Sequence, residues 1–228
     1  MLVISSNTYP VYVEHRKVWK RYMHSNPDID CFFVQFSPLL RFQSHTFDGD
    51  TLTFPGVERY ETIYRKTLLA LNYFMNRKAY DYVVRTNLSA VWDFGELLAY
   101  LETAPRSGFY AGPNDPRPGF SFVTGSGILW SADVAQMLVR NPGPSPDWTV
   151  ANDDVVIGYW LHQLGITPVY ERPWVQFNSL DDYETNHQTI PPGTFQFRLK
   201  HKDNVHSRMD EPIMMNRLLE EHILTRPL

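Results

Sequence analysis

The amino-acid sequence predicts an α/β fold built on a mixed central sheet flanked by helices. Three observations carry this. A short apolar run, Leu2 to Ser5, precedes a helical pattern and then a second apolar run, Cys31 to Phe36, the order of a βαβ unit. Strand-like and helix-like stretches go on alternating to about residue 170. Hydrophobic residues make up 43% and charged residues 20% of the 228, a globular composition with material for a real core.

The elements follow in chain order. Val11, His15, Val18, Trp19 and Tyr22 share one face of a helix over about 11–23, which Asn26-Pro27 stops. Residues 37–56 hold Pro, Gly, Asp and scattered aromatics and read as a long loop. A long helix over about 57–76 turns Ile63, Thr67, Ala70, Leu71 and Phe74 inward, and Tyr80 to Arg85 is a third strand. Val91 to Glu102 is helical, and Gly108–Gly112 and Gly119–Thr124 are short strands around a proline-rich turn. Ser131 begins a helix as N-cap, with Asp133 in its first turn. Asn141 to Pro146 is a loop; Asn152 to Leu164 is a helix closed by Gly165. The tail carries strands at Val169-Tyr170 and Phe195–Leu199 and a last helix over about 209–224.

Composition excludes several function classes. Net charge is −4 without a basic stripe, which argues against nucleic acid as a partner. The single cysteine, Cys31, sits in an apolar run, so no disulfide or cysteine-rich zinc site is available, and a reducing compartment is favoured. No run approaches the roughly 18 apolar residues of a membrane span, so the expectation is a soluble, cytoplasmic chain without an anchor. Aromatic residues reach 14%, mostly core material, though rings also pack on the C–H faces of sugars.

Two segments concentrate chemistry. In Asn152-Asp153-Asp154-Val155, Asn152 is placed to cap the helix and both acids stand in its first turn, where the helix dipole favours negative charge. The pair reads either as helix-start acids or as a carboxylate that accepts a proton from a hydroxyl. In Gly125-Ser126-Gly127-Ile128-Leu129-Trp130-Ser131-Ala132-Asp133, the glycines suit a sharp strand-to-helix turn or a backbone that approaches a ligand. A serine-hydrolase elbow needs glycine where Thr124 stands. No dinucleotide fingerprint, phosphate-binding loop or His-Glu-x-x-His occurs.

Taken together, five segments resemble the β-1,3-galactosyltransferase and fringe-like glycosyltransferases, and the short glycosyltransferases of large DNA viruses that infect algae. They are Arg16-Lys17-Val18-Trp19, Glu58 through Lys66-Thr67, Tyr82-Val83-Val84-Arg85, Gly125 through Val134, and Asp153-Asp154-Val155 through Gly158 with Leu164-Gly165-Ile166. The order of the five over residues 2–170 carries the likeness; the last 60 residues carry none.

The resemblance implies one glycosyltransferase-A type domain over 1–228, Rossmann-like, with a C-terminal strand and helix annex. Residues 1–90 would bind the nucleotide sugar, and 91–228 the acceptor. It implies an inverting transferase that moves xylose, galactose, glucose or rhamnose from a UDP-sugar to a glycan hydroxyl, virus-encoded and acting in the host cytoplasm. Asp154 would be the general base and Asp153 its tuning partner. Ser5, Ser6, Asn7, Arg16, Lys66, Arg85, Thr86 and Asn87 would contact the nucleotide sugar, and Gly125, Ser126 and Trp130 the acceptor. From the aromatic residues themselves, Trp148, Trp160 and Trp174 are further candidate platforms for an acceptor, and helix spacing suits Trp160 equally to the core. The chain departs from the family where Asp-x-Asp would bind Mn2+ or Mg2+: Asn87 and Ser89 occupy those positions, and neutral oxygens are weaker ligands for a hard cation. Either the diphosphate holds most of the metal, or the metal is dispensable and Arg85, Arg198, Lys200 or His201 neutralises the leaving group. The alternative reading is a non-catalytic glycan-binding module.

Overall fold

The computed structural model describes residues 1–143, 152–170, 174–201 and 208–224. In chain order it contains β1 (Leu2–Ile4), α1 (Pro10–Lys20), β2 (Phe32–Ser37), β3 (Thr46–Asp48), β4 (Thr51–Pro55), α2 (Ile63–Met75), β5 (Tyr82–Asn87) and β6 (Ala90–Trp92). There follow α3 (Phe94–Thr103), β7 (Tyr110–Ala111), β8 (Asn114–Arg117), β9 (Phe120–Val123), β10 (Gly127–Ser131), α4 (Ala132–Arg140) and α5 (Asp153–Gln163). The tail adds β11 (Val175–Phe177), α6 (Leu180–Asn186), a 3-10 turn (His187–Thr189), β12 (Gln196–Leu199), α7 (Asp210–Leu218) and a π-helical turn (Leu219–Ile223). This is the α/β class the sequence predicts. No helix among the described residues is long and apolar enough to cross a membrane.

The chain forms two compact units that interleave along the sequence. The first comprises residues 1–6, 31–87 and 104–170; the second comprises 7–30, 88–103 and 171–228.

The first unit is organised by a seven-stranded sheet in the order β3-β4-β2-β1-β5-β10-β7. β4, β2, β1 and β5 run parallel, and β10 is antiparallel to both its neighbours. Strand direction alternates side chains between faces. Leu2 and Ile4, Val34 and Phe36, Leu52 and Phe54, Val83, and Ile128 and Trp130 therefore join one apolar cluster with Ala70, Leu71 and Phe74 of α2, Val134 and Leu138 of α4, and Ile157 and Leu161 of α5. Two strands stand where a loop is expected. Residues 46–55 form the β3–β4 hairpin around Gly49-Asp50, with Leu52 and Phe54 buried at the period of a strand. The continuous run Gly127–Ser131 is likewise a buried strand rather than a turn. Neither Ser131 nor Asn152 makes the expected side-chain cap; Ser131 Oγ instead donates to Asp133 Oδ1 at 2.5 Å.

The second unit has a small sheet, β11-β12-β6, with α7 packed on α1, α6 and β12. Its strand β6 replaces the start of the helix expected from Val91, and α3 begins at Phe94. α1 opens with Pro10 in its first turn, where a missing N–H costs nothing. Trp19 of α1 is fully buried and donates its indole N–H to Leu88 O at 2.9 Å, anchoring the turn that leads into β6.

Candidate functional site

The geometry of interest lies in the first unit, at the C-terminal end of β1. The sheet proceeds from β1 through β2 to β4 on one side and to β5 on the other, so strand order reverses between β1 and β5. In open α/β sheets ligands bind outside the strand ends at such a switch point. Register pairs Ile4 with Asn87 there, and Ser5-Ser6 continue from β1.

Two buried cations underlie this edge. Lys66, on the sheet-facing side of α2, is 1% exposed and donates to Ser5 O at 2.8 Å and to Glu58 Oε2 at 2.7 Å. Glu58 Oε1 in turn accepts from Phe36 N at 2.5 Å. Burial lowers the Lys66 pKa, with Glu58 pulling it back up. Arg85, in β5, is also 1% exposed; it donates one nitrogen to Asp153 Oδ2 at 2.5 Å and another to Gly125 O. Its Nε is buried without a hydrogen-bond acceptor.

Asp153 and Asp154 both sit in the first turn of α5, yet they occupy different environments. Asp153 is 6% exposed and bound to Arg85. Burial raises its pKa and the Asp154 charge adds to this, while Arg85 opposes. Asp154 is half-buried; Oδ2 accepts from Gly125 N at 2.8 Å and Oδ1 from Val155 N at 2.9 Å. Gly125 therefore bridges the pair, giving its carbonyl to Arg85 and its N–H to Asp154. Thr86 Oγ1 donates to Ser126 O at 2.7 Å, and Thr124 and Ser126 share a 2.9 Å hydroxyl contact, so the 124–126 turn is fixed to β5.

The expected residues separate accordingly. Arg85, Thr86, Gly125, Ser126, Asp153 and Asp154 are linked around the 124–126 turn, Lys66 and Ser5 form a second linked pair at the end of β1, and the β1–β5 pairing sets the two side by side, with Ser6 and Asn87 next along the chain. The expectation that Lys66 and Arg85 face a diphosphate is corrected: both are buried and already neutralised, by Glu58 and Asp153. Trp130 is fully buried in the apolar cluster, so its ring offers no face to an acceptor. Trp160 is half-buried and donates to Asn141 O at 2.7 Å. Trp174 is exposed, and Trp148 lies outside the described residues.

Asn7, Arg16 and Ser89 belong to the second unit. There Arg16 reaches Asn7 Oδ1 at 3.5 Å, and Ser89 is buried with its carbonyl accepting from Leu199 N. The pair Asn87 and Ser89 offers an amide and a hydroxyl but no negative charge, a donor set that does not fit a hard divalent cation. Glu58, in the sequence only the first residue of the segment that ends in Lys66-Thr67, is a member of the site, and the spacing of eight residues to Lys66 does not by itself mark the pair. No protein-family model matches the chain, and no curated protein matches it.

Proposed function

We propose that this chain is a nucleotide-sugar-dependent glycosyltransferase that transfers a sugar to a hydroxyl with inversion. The observation that carries this reading is the β1/β5 switch point: β1 runs into Ser5-Ser6 beside Asn87 at the end of β5, and β5 holds through Thr86 and Arg85 the turn whose Gly125 N–H binds the carboxylate of Asp154. In this reading the nucleoside lies against Ser5 and Ser6. Asp154 takes the proton of an acceptor hydroxyl; the hydroxyl oxygen bonds to the anomeric carbon as the bond to the diphosphate oxygen breaks and that electron pair leaves with the diphosphate. Each Asp154 oxygen accepts one backbone N–H and keeps a second lone pair for this role.

Asp153 is a positioning residue here, because its carboxylate is committed to Arg85. Lys66 and Arg85 likewise position Ser5 and the 125–126 turn from beneath. A glycan-binding module without turnover is the second reading, favoured by the backbone N–H donors on both Asp154 oxygens.

Nucleoside-diphosphate binding separates them. A ligand that binds only the folded chain raises its melting temperature. UDP at millimolar concentration is expected to do so; stabilisation by free glycans alone, with none by UDP, would favour the module.

A further inference from the structure

We infer that His187, Glu221 and His222, in the second unit, form a binding site for a first-row transition metal of the zinc class. One ligand atom from each lies within 4.8 Å of the others. His187 Nε2 is 3.8 Å from Glu221 Oε2, beyond hydrogen-bond range but near the spacing of two ligands on one ion. Zinc bonds of about 2.0–2.1 Å at tetrahedral angles put ligand atoms about 3.4 Å apart, so small rotamer changes close the set.

The surroundings orient these groups. His187 Nδ1 stands 3.0 Å from Tyr183 O, and a carbonyl only accepts. The ring proton of the neutral imidazole is thereby held on Nδ1, and the Nε2 lone pair is directed toward Glu221. A ligating histidine is commonly fixed through its other nitrogen in this way. The Tyr183 hydroxyl donates to Glu221 Oε2 at 2.9 Å, and its buried ring stacks on His187 with centroids 5.1 Å apart. The same tyrosine thus orients two of the three ligands. Glu221 and His222 are consecutive in the π-helical turn 219–223, and such turns recur at functional sites.

Two imidazoles and one carboxylate suit Zn2+, Co2+ or Ni2+ rather than Mg2+ or Ca2+. Glu221 is 44% exposed and His187 21%, which leaves room for a water or an external ligand in a fourth position. The ion would also tie the 3-10 turn 187–189 to the turn that follows α7.

Co2+ titration of chelator-treated full-length protein tests this, because cobalt in such a site absorbs visible light. One Co2+ per chain is expected, displaced by Zn2+. His187→Ala and His222→Ala should each weaken binding about 100-fold or more, and Tyr183→Phe about 10-fold. Glu221→Gln keeps an oxygen for the Tyr183 hydroxyl; it should retain wild-type circular dichroism while losing Co2+ affinity, which guards against misfolding in the histidine variants. His24→Ala, at an exposed histidine elsewhere, and Asp154→Asn should bind as wild type does. Absence of stoichiometric binding, or equal binding by the folded His187→Ala/His222→Ala double variant, overturns the proposal.

Discussion

Arg85 and Asp153 form a buried ion pair, 2.5 Å between nitrogen and oxygen, that ties the middle of the sheet to the first residue of α5. Both side chains are almost wholly excluded from solvent, so neither charge tolerates loss of the other. Breaking such a pair leaves an uncompensated charge and costs about 3–5 kcal/mol, whereas replacing both groups by apolar ones can be near neutral. Arg85→Met is therefore expected to lower unfolding free energy by about that amount, and Arg85→Met/Asp153→Leu to recover most of it. Urea denaturation of the three proteins checks this.

A second buried pair predicts a pH dependence. His15 is fully buried in the second unit, with Nε2 3.2 Å from Glu211 Oε2, and Arg208 binds the same carboxylate. Burial lowers the His15 pKa below its ordinary 6.5; Glu211 pulls upward, while Arg208 and Arg198 push the same way as burial. The unfolded chain then gains a proton near pH 6.5 that the folded chain declines, so stability falls as pH drops through about 6.5. Glu211 is held below its ordinary range, so its contribution is lost only at pH below about 4.5. His15→Gln should flatten the slope of stability between about pH 5 and pH 7, measured as urea midpoints across that window.

Gly158 sets the approach of α5 to β9, which pairs with β8 in a separate two-stranded sheet. A Cβ at this position would overlap Phe122 Cβ and stand 2.9 Å from Phe122 Cα, so β9 and α5 meet at backbone distance. Gly158→Ala must push the helix away and is expected to cost about 1–3 kcal/mol. Because α5 begins with Asp153 and Asp154, the same variant should perturb the Arg85 ion pair. Thermal unfolding reads the first effect and hydrogen exchange of the 125–126 amides the second.

The periodic helices and the first parallel strands were legible in the sequence because one face of each is apolar at the right spacing. The hairpin 46–55 is hidden in the sequence although Leu52 and Phe54 alternate correctly, because the surrounding polar and glycine residues read as loop. Gly127–Ser131 has no alternation because every residue of that strand is buried, which erases the period-2 signal. The meeting of Asp154 with Gly125 joins segments 29 residues apart, and their order along the chain was the only clue to it. The burial of Lys66 was half legible: three residues after Ile63 and four before Ala70 it lies on their inward face, but nothing local tells an ammonium held by Ser5 O and Glu58 from one that reaches past that face to water. The place of Trp130 is hidden for a related reason: a tryptophan near a strand end suits core and ligand alike, and only its complete burial assigns it to the core.

The most direct test is turnover of a UDP-sugar panel by wild type and Asp154→Asn, with UDP binding measured on both. Wild type is expected to release UDP, and the variant to show at least a ~100-fold lower kcat with UDP affinity close to wild type; its melting temperature should fall modestly, because the amide nitrogen cannot accept one of the two backbone N–H groups that Asp154 holds. Equal turnover by Asp154→Asn would contradict the assignment of the base, and failure of wild type to bind UDP or cleave any UDP-sugar would contradict the transferase reading itself.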